Sequence, residues 1–178
     1  QPRSRGLGDV YKRQMYPYNQ TKLEFIGHDS YLTWTKETEN AGDFRVSIAS
    51  STIVRVNRQE YASSDEVDLL EYFIYEPRSQ QNLTVSWSRE DHGLTLFADR
   101  LGHMNMFEGK VSDPHITYNM SYRYDYSPDI NLYLSVRNLT DVMPQKDGGF
   151  GYPYYYQGVF SVFGRYALSL IHISEPTR

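Results

Sequence analysis

The sequence contains no cysteine, and this absence removes several classes of chemistry at once. Disulfide bonds, thiol catalysis and thiolate metal sites are all excluded. The 178 residues also lack any run of about 18 apolar residues, so no segment is a candidate for a transmembrane helix. The low mean hydropathy of −0.63 does not exclude a membrane protein, because a barrel strand needs only its outer face to be apolar.

Residue groups that would carry catalysis are missing as well. No Ser-His-Asp set or carboxylate pair can be placed from the sequence, so we expect no enzyme activity, no catalytic residues and no cofactor. The five histidines are scattered without the spacing of metal ligands, so we expect no metal site; they are His28, His92, His103, His115 and His172. The formal net charge of −4 argues against a nucleic-acid partner.

Tyrosine, by contrast, is abundant, with 17 residues, and five of them lie in a regularly alternating stretch from His115 to Asp141. Alternation of apolar and polar residues predicts a strand with two different faces. On the first arm one face holds Ile116, Tyr118, Met120, Tyr122, Tyr124 and Tyr126. On the second arm Ile130, Leu132, Leu134 and Val136 oppose Asn131, Tyr133, Ser135 and Arg137.

The turn between these arms fixes their register. Ser127-Pro128-Asp129 has turn chemistry, and a three-residue loop there brings apolar residues together across the hairpin. This register pairs Tyr124 with Leu132, Tyr122 with Leu134 and Met120 with Val136. A strand from His115 to Ser127 reaches about 43 Å and, tilted by roughly 45°, crosses a bilayer's hydrocarbon core. The hairpin alone also fits a long pair of strands in a soluble sandwich.

The same alternation predicts five more strands, which gives seven in total. A slip of phase near Gly27 in the first of them indicates a bulge that corrects the phase between Phe25 and Leu32. In the last, Phe160, Val162, Tyr166 and Leu168 share one face. The five strands are expected at residues 21–38, 43–56, 83–88, 94–98 and 159–170.

The connections between the predicted strands alternate in length. Tight turns are expected at 39–42, 91–92 and 127–129, whereas the connections at 57–77, 107–114 and 141–158 are longer. In the connection at 57–77, the part from Val67 to Tyr75 is apolar enough to be ordered. Outer-membrane barrels have short periplasmic turns and longer extracellular loops. A sandwich has no reason to sort its loops in this way, so the pattern favours an antiparallel up-and-down transmembrane β-barrel.

Both ends of the sequence look foreign to this barrel. Residues 1–14 and 169–178 resemble translated sequencing-adaptor sequence and are left out of the fold prediction. Residues 1–14 contain no apolar segment, so they are not a signal peptide. They are also net basic, so the remaining chain is more acidic than the whole. The native portion is expected to span residues 15–168.

Three short motifs resemble those of TonB-dependent outer-membrane receptors. The stretch from Leu134 to Asp141, LSVRNLTD, is similar to the strand end V-x-N-L-x-D near their C-terminus. Gly164-Arg165-Tyr166 is similar to their G-R-x-Y or G-R-Y signature, and Phe25 to Asp29 resembles their G-x-E strand with Asp for Glu. The resemblance covers residues 15–168, and the order, spacing and strand context of these motifs make it fairly specific.

This resemblance implies a C-terminal fragment of a 22-stranded barrel with a plugged lumen. It also implies the outer membrane of a Gram-negative bacterium, contact with lipid, and active uptake of a scarce nutrient such as an iron-siderophore, vitamin B12 or an oligosaccharide. The TonB protein would act through a TonB box and plug expected upstream of this chain. Two alternatives stay open: another outer-membrane barrel such as a porin, and a soluble, Tyr-rich carbohydrate-binding sheet.

The loop at 141–158 is the candidate ligand site, because it is dense in Gly, Pro and Tyr. Its tyrosines are Tyr152, Tyr154, Tyr155 and Tyr156. As a platform at the extracellular mouth, they could stack against a sugar or chelate ring. The alternative, which the abundance of Tyr at membrane interfaces favours, is an aromatic girdle or packing within the loop.

Overall fold

The computed structural model describes residues 22–72 and 76–174. The first adaptor-like segment, residues 73–75 of the predicted ordered part of the connection, and residues 175–178 of the second adaptor-like segment lie outside these ranges. The strands are β1 (Lys22–Lys36), β2 (Asp43–Gln59), β3 (Val67–Asp68), β4 (Ser79–Arg89), β5 (His92–Leu101), β6 (His115–Ser127), β7 (Ile130–Arg137) and β8 (Tyr166–Ile173). A short 3₁₀ helix covers Phe107–Gly109. The described residues include no helix with the length and apolar character needed to span a bilayer.

All strands belong to one antiparallel sheet, in the order β1-β2-β4-β5-β6-β7-β8. The two-residue strand β3 pairs with β2 beside this path. Since each strand of this path pairs with the strand of the path that follows it along the chain, the predicted all-β, up-and-down architecture is confirmed. The seven strands of the path correspond to the seven that were predicted. Within the described residues the sheet is open, with β1 and β8 at its two edges.

The β6–β7 hairpin has the predicted register but not the predicted loop. Tyr124 pairs with Leu132, Tyr122 with Leu134 and Met120 with Val136, as expected. The prediction of a three-residue loop is wrong, because Ser127 pairs with Ile130 and leaves only Pro128 and Asp129 in the turn. Tyr126 has no partner and forms a bulge, and this extra residue keeps the same apolar residues opposite each other.

The β4–β5 turn has the predicted length at a different position. Arg89 pairs with His92, so the two-residue loop consists of Glu90 and Asp91, and the prediction of Asp91-His92 is wrong by one residue. Glu90 adopts the left-handed conformation, with φ 51°. The alternation requires a loop with an even number of residues, and a two-residue loop at 90–91 meets this requirement as well as one at 91–92. In the observed register Trp87 pairs with Leu94, so apolar residues still lie opposite each other.

The β1–β2 pair contains the bulge predicted near Gly27. Gly27 pairs with Ile53 and Ile26 with Arg55, so the extra residue is Val54, on β2. Because β1 itself gains no residue, the bulge does not bring Phe25 onto the face of Leu32, and that part of the prediction is wrong. The Phe25 ring accordingly lies over Gly27 on the same face, 3.2 Å from the position a Cβ would take.

The sheet has two chemically different faces. Following the cross-strand partners gives three apolar rows, which we call the apolar band. The rows are Phe44-Trp87-Leu94-Tyr122-Leu134, Trp34-Val46-Val85-Leu96-Met120-Val136 and Leu32-Ile48-Leu83-Ala98-Tyr118. The next row on the same face is largely polar, with Ser30, Ser50, Gln81 and Arg100. The apolar surface therefore covers only part of the strand length.

The opposite, polar face carries hydrogen-bonded side chains across the strands. Thr33 and Ser47 lie 3.3 Å apart on β1 and β2, and Ser86 and Thr95 lie 3.3 Å apart on β4 and β5. Such cross-strand pairs stabilise neighbouring strands by roughly 0.2–1 kcal/mol each. The alternation in the sequence thus predicted correctly which residues share a face on β2, β4, β5, β6 and β7.

The connections separate the two ends of the sheet. The tight-turn end holds residues 37–42, 90–91 and 128–129. The long-connection end holds the described residues 60–72, 76–78, 102–114 and 138–165. The apolar band lies beside the tight-turn end, because its rows contain the residues nearest those turns, such as Phe44 and Leu94. The predicted alternation of short and long connections is present.

The last strand differs from its prediction. It begins at Tyr166, so Phe160 and Val162 belong to the preceding loop, and it continues to Ile173 inside the adaptor-like segment. Tyr166 pairs with Arg137 and Leu168 with Ser135, so both lie on the polar face. The prediction of a shared apolar face for these four residues is therefore wrong. The physical reason is that the Arg165 N–H donates to Asp141 in the long loop, so hydrogen bonding to β7 begins only at Tyr166.

Candidate functional site

The longest connection, residues 138–165, is attached to the sheet through Asn138. This residue has φ 51° and is buried, with 8 % of its surface exposed. Its side chain donates to the carbonyl of Val142 at 2.9 Å and accepts the Val142 N–H at 3.0 Å. Its backbone N–H donates to Oδ1 of Asn119 on β6 at 2.9 Å. Asn tolerates the left-handed conformation better than most residues, and these bonds hold the chain as it leaves β7.

The far side of the same loop returns to Asp141. Asp141 has φ 54°, and its Oδ1 accepts the Arg165 N–H at 2.7 Å. A Cβ at Gly164 would lie 2.7 Å from the same oxygen, so a side chain there would force a rearrangement. The Arg165 guanidinium also donates to the carbonyl of Leu139 at 3.4 Å. The two segments LSVRNLTD and Gly164-Arg165-Tyr166, which lie far apart in sequence, therefore meet at the base of this loop.

Inside the loop, a buried carboxylate organises the backbone. Asp147 is only 3 % exposed, and its two oxygens accept the N–H groups of Phe107 at 3.1 Å and Gly149 at 2.9 Å. Its backbone N–H donates to the carbonyl of Tyr154 at 2.6 Å. Asp147 thus joins the loop to the 102–114 connection. Buried carboxylates of this kind are expected to be hydrogen-bonded, since an unpaired one is costly.

A small apolar core forms where these two connections meet. Met104 and Met106 are 1 % and 5 % exposed. Leu101, Phe150, Val159 and Phe160 pack against them. Methionine fills irregular spaces between loops well, because it is unbranched and flexible. The long-connection end is therefore a packed structure over β5–β7.

The four predicted tyrosines are divided by this packing. Tyr155 is 4 % exposed, and its hydroxyl donates to the carbonyl of Ser161 at 3.3 Å. Tyr156 stacks on Phe150 with ring centroids 5.7 Å apart. Tyr152 and Tyr154 remain 88 % and 48 % exposed and make an edge-to-face pair at 6.1 Å.

The exposed pair has a cation beside it. The Lys146 ammonium lies 5.8 Å from the centre of the Tyr154 ring, within range of a cation–π interaction. Tyr154 itself has φ 71°, so the loop holds its backbone in an uncommon conformation. The structure therefore brings together Tyr152, Tyr154 and Lys146 as an exposed aromatic surface, and it places Tyr155 inside the loop.

The five histidines lie at separate places. The His92 ring stacks on Tyr124 at 4.7 Å, and its Nδ1 lies 2.7 Å from the Tyr122 hydroxyl. Nδ1 of His103 lies 2.8 Å from the Ser112 carbonyl oxygen. Within residues 22–72 and 76–174, no three His, Asp or Glu side chains are grouped so that they could hold a metal ion.

Sequence reasoning missed a cleft of about 310 Å³ between the polar face and the long loop. Its floor includes Asp99, Thr117 and Arg137 from three neighbouring strands, Phe160 borders it from the long loop, and Tyr166 borders it from the start of β8. The floor residues lie on one face by alternation, so the register of β5–β7 was the available signal. The loop's return over that face was not predictable, because contacts such as Asp141 with Arg165 join distant positions.

Comparison of the chain with protein-family models, with curated proteins and with solved structures gives no match in any of the three.

Proposed function

We propose that this chain forms the C-terminal part of the barrel wall of a TonB-dependent receptor in the outer membrane of a Gram-negative bacterium. The receptor actively takes up a scarce nutrient, an iron-siderophore, vitamin B12 or an oligosaccharide. The observation that carries the proposal is the position of the apolar band beside the tight-turn end, with all long connections at the other end. In outer-membrane barrels the short turns are periplasmic and the long loops extracellular.

The exposure of the apolar band supports lipid as the medium on that face. Leu32 is 63 % exposed and Trp34 50 % exposed on the edge strand β1, and Leu96 on the inner strand β5 is 41 % exposed. Burying apolar surface yields roughly 25 cal/mol per Å², so a broad apolar face open to water is unfavourable. Contact with acyl chains removes this cost without a second protein layer.

Strand length supports the same proposal. β1, β2 and β6 contain 15, 17 and 13 residues. A transmembrane strand needs only about 9–11 residues, whereas strands of globular proteins usually have about 5–6. The strands are long enough to continue past the polar row with Ser50 and Gln81 toward the long connections.

The open edges of the sheet and the contact between two motifs also agree with this assignment. The long unpaired edge at β1 favours completion by further strands, since closure is how barrels remove edges. The segments that resemble receptor signatures meet through Asp141, Gly164 and Arg165. In this proposal they fix the base of an extracellular loop, and the exposed pair Tyr152 and Tyr154 contacts the nutrient.

The test uses the full-length protein that carries this chain. After expression in a Gram-negative host, we expect it in the outer-membrane fraction, with an electrophoretic mobility that changes on heating, as folded barrels show. We also expect a plug and a TonB box encoded upstream of Met15. A barrel without a plug would favour a porin, and a product that stays soluble without detergent would favour a carbohydrate-binding sheet; either result overturns the proposal.

A further inference from the structure

We infer that the cleft between the polar face of β5–β7 and the long loop binds a small saccharide of one or two rings. The cleft encloses about 310 Å³, at the lower end of the range of about 300–1,000 Å³ for small-molecule sites. It lies on the face opposite the apolar band, so it is separate from the surface proposed to face lipid.

The hydrogen-bonding groups on the floor are arranged for a ligand with many hydroxyls. Asp99 accepts from Asn82 at 2.6 Å through Oδ1 and from Asn119 at 3.0 Å through Oδ2. These two amides fix the carboxylate and leave each oxygen able to accept a further hydrogen bond. A fixed carboxylate that can still accept is suited to a pair of sugar hydroxyls.

Arg137 supplies the complementary donors. Its side chain has no hydrogen bond, ion pair or ring contact to any residue in the described ranges, and it lines the same cleft as Asp99. The Thr117 hydroxyl, between them on β6, likewise has no partner among the described residues. Donor and acceptor groups that do not satisfy each other leave positions for a ligand that both donates and accepts, as a hydroxyl does.

Aromatic rings border the cleft from the long loop and from the start of β8. The rings of Phe160 and His115 pack edge to face with their centroids 5.1 Å apart, which fixes the Phe160 ring. The rings of Tyr166 and Phe163 pack edge to face with their centroids 6.1 Å apart. Rings of this kind can pack against the apolar C–H face of a sugar while the polar floor binds its hydroxyls. A small inorganic anion would use Arg137 but not these rings, and a purely apolar ligand would leave Asp99 unsolvated.

The saccharide would also be the nutrient that is taken up, and this part of the inference rests on the proposed function. The binding itself does not. A binding measurement on the purified full-length protein therefore separates the two: sugar binding by a soluble product supports the cleft and overturns the receptor, whereas a folded outer-membrane barrel without sugar binding overturns the cleft alone.

The experiment measures saturation-transfer NMR signals from a mixture of glucose, galactose, xylose and maltose. We expect ring-proton signals from at least one of these sugars. Arg137→Gln should weaken its binding at least tenfold and Thr117→Val about threefold, with unchanged amounts of folded protein. Matched controls on the same face but outside the cleft are Arg45→Gln and Thr84→Val, which should bind as the wild type does.

Three results would overturn the inference. They are no signal from any of the four sugars, equal losses in the cleft variants and their controls, and a loss that follows the amount of folded protein. Thr117→Val is the variant expected to reduce the amount of folded protein least, because it keeps the side-chain shape and replaces the hydroxyl by a methyl group of similar size.

Discussion

The two ends of the sheet are built by different means. At the tight-turn end the chain reverses within a few residues. Between β6 and β7, for example, the turn consists of Pro128 and Asp129 only. At the long-connection end the chain folds on itself, with a buried carboxylate at Asp147 and a methionine core. The comparison shows that one end depends on backbone geometry and the other on side-chain contacts between residues distant in sequence.

The largest expected effect is a difference between variants on the two faces of the sheet beside the tight-turn end. Leu134→Arg places a cation on the apolar band, and an Arg facing lipid costs about 2–4 kcal/mol at the middle of the bilayer. Ser135→Arg places the same residue on the polar face, where we expect far less effect. The measurement is the amount of heat-modifiable barrel in the outer membrane. Equal losses for the two variants would contradict the assignment of lipid and lumen faces.

The next effect tests backbone geometry at the tight-turn end. Gly42 has φ 86°, and a Cβ there would lie 2.4 Å from the Ser88 carbonyl oxygen, so we expect Gly42→Ala to lower the free energy of unfolding by about 3 kcal/mol. Gly151→Ala in the long loop is the control, because no atom lies within 4 Å of its added Cβ. Urea unfolding of the folded protein measures both, and a neutral Gly42→Ala would refute the geometry of this turn.

The third effect tests the side-chain contacts at the long-connection end. Asn138→Ala removes the two hydrogen bonds to Val142, so we expect a loss of about 1–2 kcal/mol and faster proteolysis within residues 142–164. Asn131→Ala, on the polar face near the tight-turn end, is the matched control and should change neither quantity. If Asn138→Ala left the protease sensitivity of the loop unchanged, Asn138 would not be its anchor.

The smallest effect on stability concerns the tyrosines. Under the proposed function, replacing the two most exposed of these residues, Tyr152 and Tyr154, by Ala should leave the barrel and the loop intact but weaken nutrient uptake. Tyr155→Ala should instead open the loop, because that ring is buried. Uptake is measured beside the amount of folded barrel. Normal uptake in the double variant would rule out the platform and leave loop packing as the role of these tyrosines.

The sequence predicted the sheet better than it predicted the loops. The alternation of apolar and polar residues in β6 and β7 was enough to predict their pairing, including Met120 with Val136. A shift of one residue would move the apolar residues of a strand to its other face, so the alternation specifies the register. It failed for Tyr166 and Leu168, whose strand begins only after Arg165 is bound to Asp141. No local sequence pattern predicts a hydrogen bond between residues so far apart in the chain.

The candidate sites divide in the same way. The sequence drew attention to the tyrosines of the long loop, but only burial separated Tyr155 from Tyr152 and Tyr154. The cleft was not predicted, although Asp99, Thr117 and Arg137 each occupied a predictable face. Their position in one cleft depends on a loop that crosses over them.

By itself, the sequence determined the strands of the meander, the two faces of its central part and the sorting of short and long connections. These follow from the period-2 geometry of a strand and from local turn chemistry, which act over a few residues. Only the tertiary structure decided where the extra residues Val54 and Tyr126 bulge, where β8 begins and what the long loop covers. The start of β8, the bulge at Val54 and the position of the long loop depend on contacts between residues far apart in the chain, which no local sequence pattern specifies. The bulge at Tyr126 depends instead on how the β6–β7 hairpin closes around Pro128 and Asp129.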